Sequence, residues 1–126
     1  MHAYIKGSRA ERELISFFIQ NGYSVIRAAG SGVNSESPDL LMFKHGNQYA
    51  IEAKAHEKEY LGINHAQFLN LKKWEGNTGI TTLIGWRRNH EEWLFIPLSM
   101  FTEKGKSFTI NWKRAEMCGR RKEELI

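Results

Sequence analysis

A mixed α/β domain, with one central mixed β-sheet flanked by helices, is the fold class this sequence predicts. Three observations carry that reading. Stretches of helical and strand-like periodicity follow one another in the order helix, strand, hairpin, helix, strands, an order that suits a sheet covered by helices. The chain has 126 residues and no internal repeat, which makes a single domain over 1–126 the economical reading. Seven Phe, four Tyr and four Trp give that domain the bulk for one substantial core, with only two Pro to interrupt it.

The elements are justified in order. Ser8-Arg9-Ala10-Glu11 matches a capping box, and Leu14, Ile15, Phe17 and Phe18 continue at helical spacing, so a first helix is expected to open at Ser8. Asn21-Gly22 ends it. Residues 24–28 read as a short strand and 30–37 as a turn-forming loop. Leu40 to Lys44 and Gln48 to Ala55 read as a hairpin turning around His45-Gly46-Asn47. A second helix is expected from Asn64 to Trp74, turning Ala66, Leu69 and Phe68 inward. Ile80 to Trp86 and Glu92 to Ile96 read as strands, Pro97 stops the latter, and Leu98 to Phe101 makes a helical turn. Beyond Glu103, Phe108 and Ile110 suggest an edge strand and Lys113 to Leu125 a mixed-charge helix, leaving 104–126 an extension without an assigned role.

The composition narrows the partners. A net charge of +4 and a pI near 9.3 favour an anionic partner without specifying one. Cys118 stands alone, which rules out an intramolecular disulfide or a cysteine-built zinc site and points to a reducing compartment. No apolar run approaches membrane-spanning length and the first residues lack a signal-peptide core, so the expectation is a cytoplasmic protein without a membrane partner. The five His are scattered without metal-binding spacing.

The chemistry concentrates in Pro38-Asp39 followed, after twelve residues, by Glu52-Ala53-Lys54. Carboxylates are the ligands of hard divalent cations. A lysine two residues beyond a ligand shares its strand face. A metal that polarises a phosphate and a cation beside the attacking water together suit phosphodiester hydrolysis. Taken singly, each residue has a plainer role: Asp39 as a turn residue at a strand start, Glu52 and Lys54 as alternating charges on a wet edge. Taken together they favour a metal site, because a hairpin brings Asp39 opposite the far end of the next strand. Glu11 is divided between the capping box and the inward face it shares with Leu14, Ile15 and Phe18; local sequence favours the cap. Gly30-Ser31-Gly32 offers donors to a phosphate but lacks the rest of a nucleotide-binding loop. Lys6, Arg9, Arg12 and Arg27 gather around the first helix and strand, where Arg9 and Arg12 line a path for DNA phosphates.

These residues fall in a familiar order. Gly7-Ser8-Arg9-Ala10-Glu11-Arg12-Glu13-Leu14, Arg27-Ala28-Ala29-Gly30-Ser31-Gly32, Pro38-Asp39-Leu40, Ile51-Glu52-Ala53-Lys54 and Trp93-Leu94-Phe95 resemble the archaeal-type Holliday junction resolvases over a core of about residues 6–101. Those enzymes belong to the PD-(D/E)xK nuclease superfamily, which implies a restriction-endonuclease-like fold and a metal-dependent endonuclease that resolves four-way DNA junctions by paired symmetric nicks. The resemblance implies Mg²⁺, replaceable by Mn²⁺, on Asp39 and Glu52, with the Ala53 carbonyl as a further ligand and Glu11 completing the acidic site. It implies that Lys54 activates the attacking water, that Ser31 sits beside the scissile phosphate, and that Arg12 and Arg27 support DNA binding. It implies a two-fold homodimer and no small-molecule cofactor. Gln67 matches the helix glutamine that some superfamily nucleases place near the metal. Trp74 stands where the family often has an aromatic at the subunit contact, but Gly76-Asn77-Thr78 lacks the second one. A nuclease for another DNA structure and a non-catalytic DNA-binding module are the rival readings. The sequence leaves open the cleavage preference, the number of metals and the protein partners.

Overall fold

Apolar residues of the first helix and of four strands meet on one side of a five-stranded sheet, and that sheet organises everything else. The computed structural model describes residues 2–28, 37–89 and 91–126, with side chains from residue 9 onward. Helix α1 spans His2–Gln20. It therefore begins before the expected capping box, and Ser8 is an interior helical residue. The physical reason is plain: no proline lies between His2 and Gly7, so nothing stops the helix from running backward. Gly22, at φ 90°, supplies the left-handed residue after the helix, and the Tyr23 amide donates to the Phe18 carbonyl at 3.0 Å.

The strands of the larger sheet are β1 (Ser24–Arg27), β2 (Leu40–Lys44), β3 (Asn47–Ala55), β5 (Thr81–Arg87) and β6 (Leu94–Pro97), in the spatial order β1-β2-β3-β5-β6. The sheet is mixed: β2 and β3 form the expected antiparallel hairpin, while β3 and β5 run parallel. His45 and Gly46 both have positive φ, 46° and 87°, the geometry of a tight two-residue hairpin turn. Gly85 is required by close approach, since a Cβ there would lie 3.1 Å from the Phe95 ring and 3.2 Å from Ile51.

The connection from β3 to β5 passes through β4 (Tyr60–Asn64) and helix α2 (His65–Thr78). Asn64 caps α2 by accepting from the Gln67 amide at 2.8 Å, and Gly79, at φ 72°, closes its other end. The inward residues of α2 are Phe68 and Leu71; Ala66 and Leu69 are exposed, against expectation. The capped first turn sets the phase. Phe68 stacks on Phe108 at 4.2 Å and meets Phe101 at 5.4 Å, which fixes that side of the helix on the core.

The C-terminal part departs most from expectation. Strands β7 (Thr102–Lys104) and β8 (Ser107–Asn111) join β4 in a second sheet, ordered β4-β8-β7, so Phe108 and Ile110 lie in its central strand and not at an edge. The residues that follow do not form one helix to Leu125. Helix α3 covers Trp112–Cys118 and stops before Gly119, Arg120 forms a bridge with Phe95, and Lys122–Leu125 is a 3₁₀ turn. A Cβ at Gly119 would fall 2.6 Å from the Ala115 carbonyl, so the tight end of α3 needs glycine there.

Two apolar clusters cover the two faces of the larger sheet. Leu14 and Phe18 of α1 pack with Leu40, Met42, Ile51, Leu83 and Phe95. Phe68 and Leu71 of α2 pack with Ile84, Trp86, Ile96 and the inner face of the small sheet, Leu61, Ile63 and Ile110. Trp112 reaches the edge of Trp86 at 4.8 Å, and Leu125 joins the α1 cluster, where the Tyr23 hydroxyl donates to its carbonyl.

Candidate active site

β3 is the middle strand of its sheet, and its side chains alternate between the two clusters. Ile51 points to the α1 side. Glu52 and Lys54 point to the α2 side, level with Ile84 and Trp86 of β5. Register then delivers Asp39. Leu40 lies opposite Ile51, so the residue before it comes level with Glu52. The Asp39 carboxylate accepts from the Ala53 amide at 2.9 Å, which ties the end of β2 to the triplet. The juxtaposition expected of the hairpin is present.

The pair is poised by burial and mutual repulsion. Glu52 is 7% exposed. Loss of solvent pushes its acid up to about 7, the Asp39 charge adds to the rise, and Lys54 opposes it. Asp39 is also raised, again first by burial; the Ala53 amide opposes this and the nearby Glu11 charge reinforces it. Lys54 Nζ lies 3.7 Å from Glu52 Oε2, too long for a tight ion pair, and donates to Gln67 Oε1 at 3.4 Å. Gln67 Nε2 donates to Glu52 Oε2 at 3.0 Å. The two ends of one side-chain amide thus meet the carboxylate and the ammonium with the matching polarity.

Glu11 occupies the margin of the site. It is on the α1 flank, held by Arg27 at 2.5 Å, and near enough to act on Asp39. Ser8, its expected cap partner, lies inside the helix and is not its N-terminal residue. Arg9 and Arg12 are exposed and line an open groove with Ser16, Phe17 and Gln20 on the outer side of α1, which contains none of the site acids. Ser31 lies outside the described residues, as does the Lys6 side chain.

The donor set fits a hard divalent cation. Two carboxylates converge in a desolvated place where burial raises both and the Asp39 charge raises Glu52 further, and a dication is the charge that relieves both. Among the described residues no group of three His, Cys, Asp or Glu side chains converges, so Asp39 and Glu52 are the core of the site and Glu11 stands further out. Sequence reasoning missed what holds Gln67. The His65 amide donates to the Lys106 carbonyl at 2.9 Å and the His65 ring meets Glu103 at 2.7 Å, so the small sheet grips the first turn of α2. The signal was the alternation Leu61, Ile63 before the cap at Asn64, which marks β4 as a strand with one buried face.

Known proteins resemble this chain in sequence and in fold. A family model described as archaeal Holliday junction resolvase (Hjc) matches residues 2–119. The crossover junction endodeoxyribonuclease Hjc of Archaeoglobus fulgidus is 28% identical over 107 residues, 84% of this chain and 79% of that protein. Its counterpart from Methanocaldococcus jannaschii is 31% identical over 110 residues, 87% of this chain and 79% of that one. The 1.6 Å structure of A. fulgidus Hjc, a Holliday junction resolvase from an archaeal hyperthermophile, shares the fold with a TM-score of 0.84, covering 95% of this chain and 100% of its own at 24% identity.

Proposed function

The chain belongs to the archaeal Holliday junction resolvase family, and from that premise we propose that Asp39 and Glu52 hold the divalent metal of a junction endonuclease while Lys54 serves the attacking water. The observation that carries the assignment is the convergence of Asp39 and Glu52 through the Ala53 amide in a desolvated pocket. The chain is a crossover junction endodeoxyribonuclease acting on four-way DNA. The metal, Mg²⁺ with Mn²⁺ as a substitute, polarises the scissile phosphate and lowers the pKa of water when bound.

The chain's own residues do the rest. Asp39 is fixed by the Ala53 amide, so its free oxygen keeps one direction. Gln67 holds Glu52 by one end and Lys54 by the other, which sets the spacing of acid and ammonium. The Lys54 ammonium is the one cation at the inner end of the site among the described residues. It orients a water for attack and steadies the negative charge that develops on the phosphate. Arg27, through Glu11, closes the α1 flank, and Arg9 and Arg12 contact the DNA backbone beyond it. The sequence adds Lys6 to the DNA-binding set, and the family resemblance gives Ser31 a role at the scissile phosphate. Two copies in an isologous dimer give two sites for two opposed nicks; α2, with exposed Leu69 and half-buried Trp74, is the subunit contact. The cytoplasm, where the DNA is, is the place of action.

The test is a nicking assay on a labelled immobile four-way junction beside a linear duplex of the same sequence, in Mg²⁺ and in chelator. Paired symmetric nicks confined to the junction are expected. Asp39→Asn and Glu52→Gln should each lower the nicking rate by about a thousandfold or more while junction binding persists. Equal cutting of both substrates would reassign the enzyme to another DNA structure. Binding without nicking in either metal would make it a DNA-binding module.

A further inference from the structure

The outward face of the small sheet takes no part in the site above. Directly opposed residues of antiparallel strands share a face. The pairings Tyr60 with Asn111, Thr109 with Thr102 and Ser107 with Lys104 therefore build one surface, while Leu61, Ile63 and Ile110 are buried on the other. An outer face of such a sheet is ordinarily polar, so polarity alone assigns nothing. Its charge and its place do more.

Among the described residues, no carboxylate of the three strands lies on this face. Glu103, the one acid in the three strands, alternates to the opposite face and meets His65. Tyr60 is 56% exposed, so its phenol is available. Lys104 and Lys106, at the hairpin joining β7 to β8, are exposed and have no carboxylate partner among the described residues. Its edge strand β4 also leads along the chain to the site. β4 runs directly into the capped turn of α2, where Gln67 contacts Glu52 and Lys54. Five residues of strand extend about 17 Å, the length of roughly five phosphates along one DNA strand.

We propose that this face carries a duplex arm of the junction away from the cut. Lys104 and Lys106 neutralise phosphates, and the hydroxyls of Tyr60, Thr102 and Thr109 donate to phosphate oxygens. The inference rests on the junction-nuclease reading. Such contacts position DNA and carry no sequence information, so they serve recognition of shape.

The experiment measures junction affinity by fluorescence anisotropy across a NaCl series, without divalent metal, for the wild type, K104A/K106A and K104R/K106R. The wild type must bind with a salt-dependent affinity and nick in Mg²⁺; failure there defeats the junction-nuclease reading itself. Given that result, K104A/K106A is expected to lower the slope of log affinity against log salt by about 1.8 per subunit bound, and K104R/K106R to keep the wild-type slope. An unchanged slope in K104A/K106A overturns the proposal. So does loss of oligomeric state in that variant, which would make the face a contact between copies of the chain.

Discussion

On β3, neighbouring side chains meet opposite surroundings. Ile51 is fully buried among Leu40, Leu83 and Phe95, whereas Glu52, at 7% exposure, faces Asp39, Lys54 and Gln67. The two are almost equally withdrawn from water, yet for one this is a gain and for the other a cost. Each face of the sheet thus has an apolar cluster that stabilises the fold, but the α2 side near β3 also accumulates unfavourable charge. Burial by itself does not distinguish core from site; the partners do.

The sharpest way to break the contrast on the α1 side is Phe18→Ala. Phe18 is completely buried and meets Phe17, Tyr23 and Phe95 edge to face at 5.3, 5.5 and 6.1 Å. The substitution is expected to cost about 3–5 kcal/mol of stability, read by urea unfolding. A loss below about 1 kcal/mol would mean that α1 does not depend on this side chain.

The charged side predicts a pH effect of definite sign. In metal-free protein the Glu52 acid sits at about 7 against 4.5 for its ordinary value, so folding holds a proton that the unfolded chain has already released. Its contribution to stability is greatest at low pH and declines as pH rises from about 4.5 to about 7, by at most about 3 kcal/mol. Thermal melts in chelator at pH 5 and pH 8 should show the wild type losing more between them than Glu52→Gln does, and Mg²⁺ at pH 8 should recover the difference. Parallel pH curves for the two proteins would remove the electrostatic cost from the argument.

The smallest effect sharpens the link between the two sides. Asn64→Ala removes the side-chain cap of α2 and is expected to cost about 1 kcal/mol. Because Gln67 sits in the capped turn, the variant should also nick more slowly than its stability loss accounts for at temperatures where it is fully folded. A normal rate there would show that Gln67 is placed by the small sheet alone.

Much of this was legible in the residues. Period-two alternation put Glu52 and Lys54 on one face, and the hairpin register that sets Asp39 against them follows from strand lengths and a tight turn. The Asn64 and Gly22 helix boundaries were legible as well. What escaped depended on distant partners. Ser8 looks like a cap because local chemistry permits it, and only the helical run from His2 refutes it. Ala66 and Leu69 look as apolar as Phe68 and Leu71; Phe101 and Phe108, some 30 to 40 positions later, decide which pair turns inward. Residues 113–125 have helical composition throughout, but Gly119 and the Arg120 bridge to Phe95 divide them.

The bond from the Tyr23 hydroxyl to the Leu125 carbonyl joins positions 102 apart. With the Phe95–Arg120 bridge, it means that the covering of α1 waits until residues 120–125 have left the ribosome. A nascent chain stalled near residue 115 would hold every acid and lysine of the cutting site and yet lack the closure that fixes α1 to the sheet, since contacts so far apart in sequence form late. The residues that cut are therefore all synthesised before the segment that closes over α1.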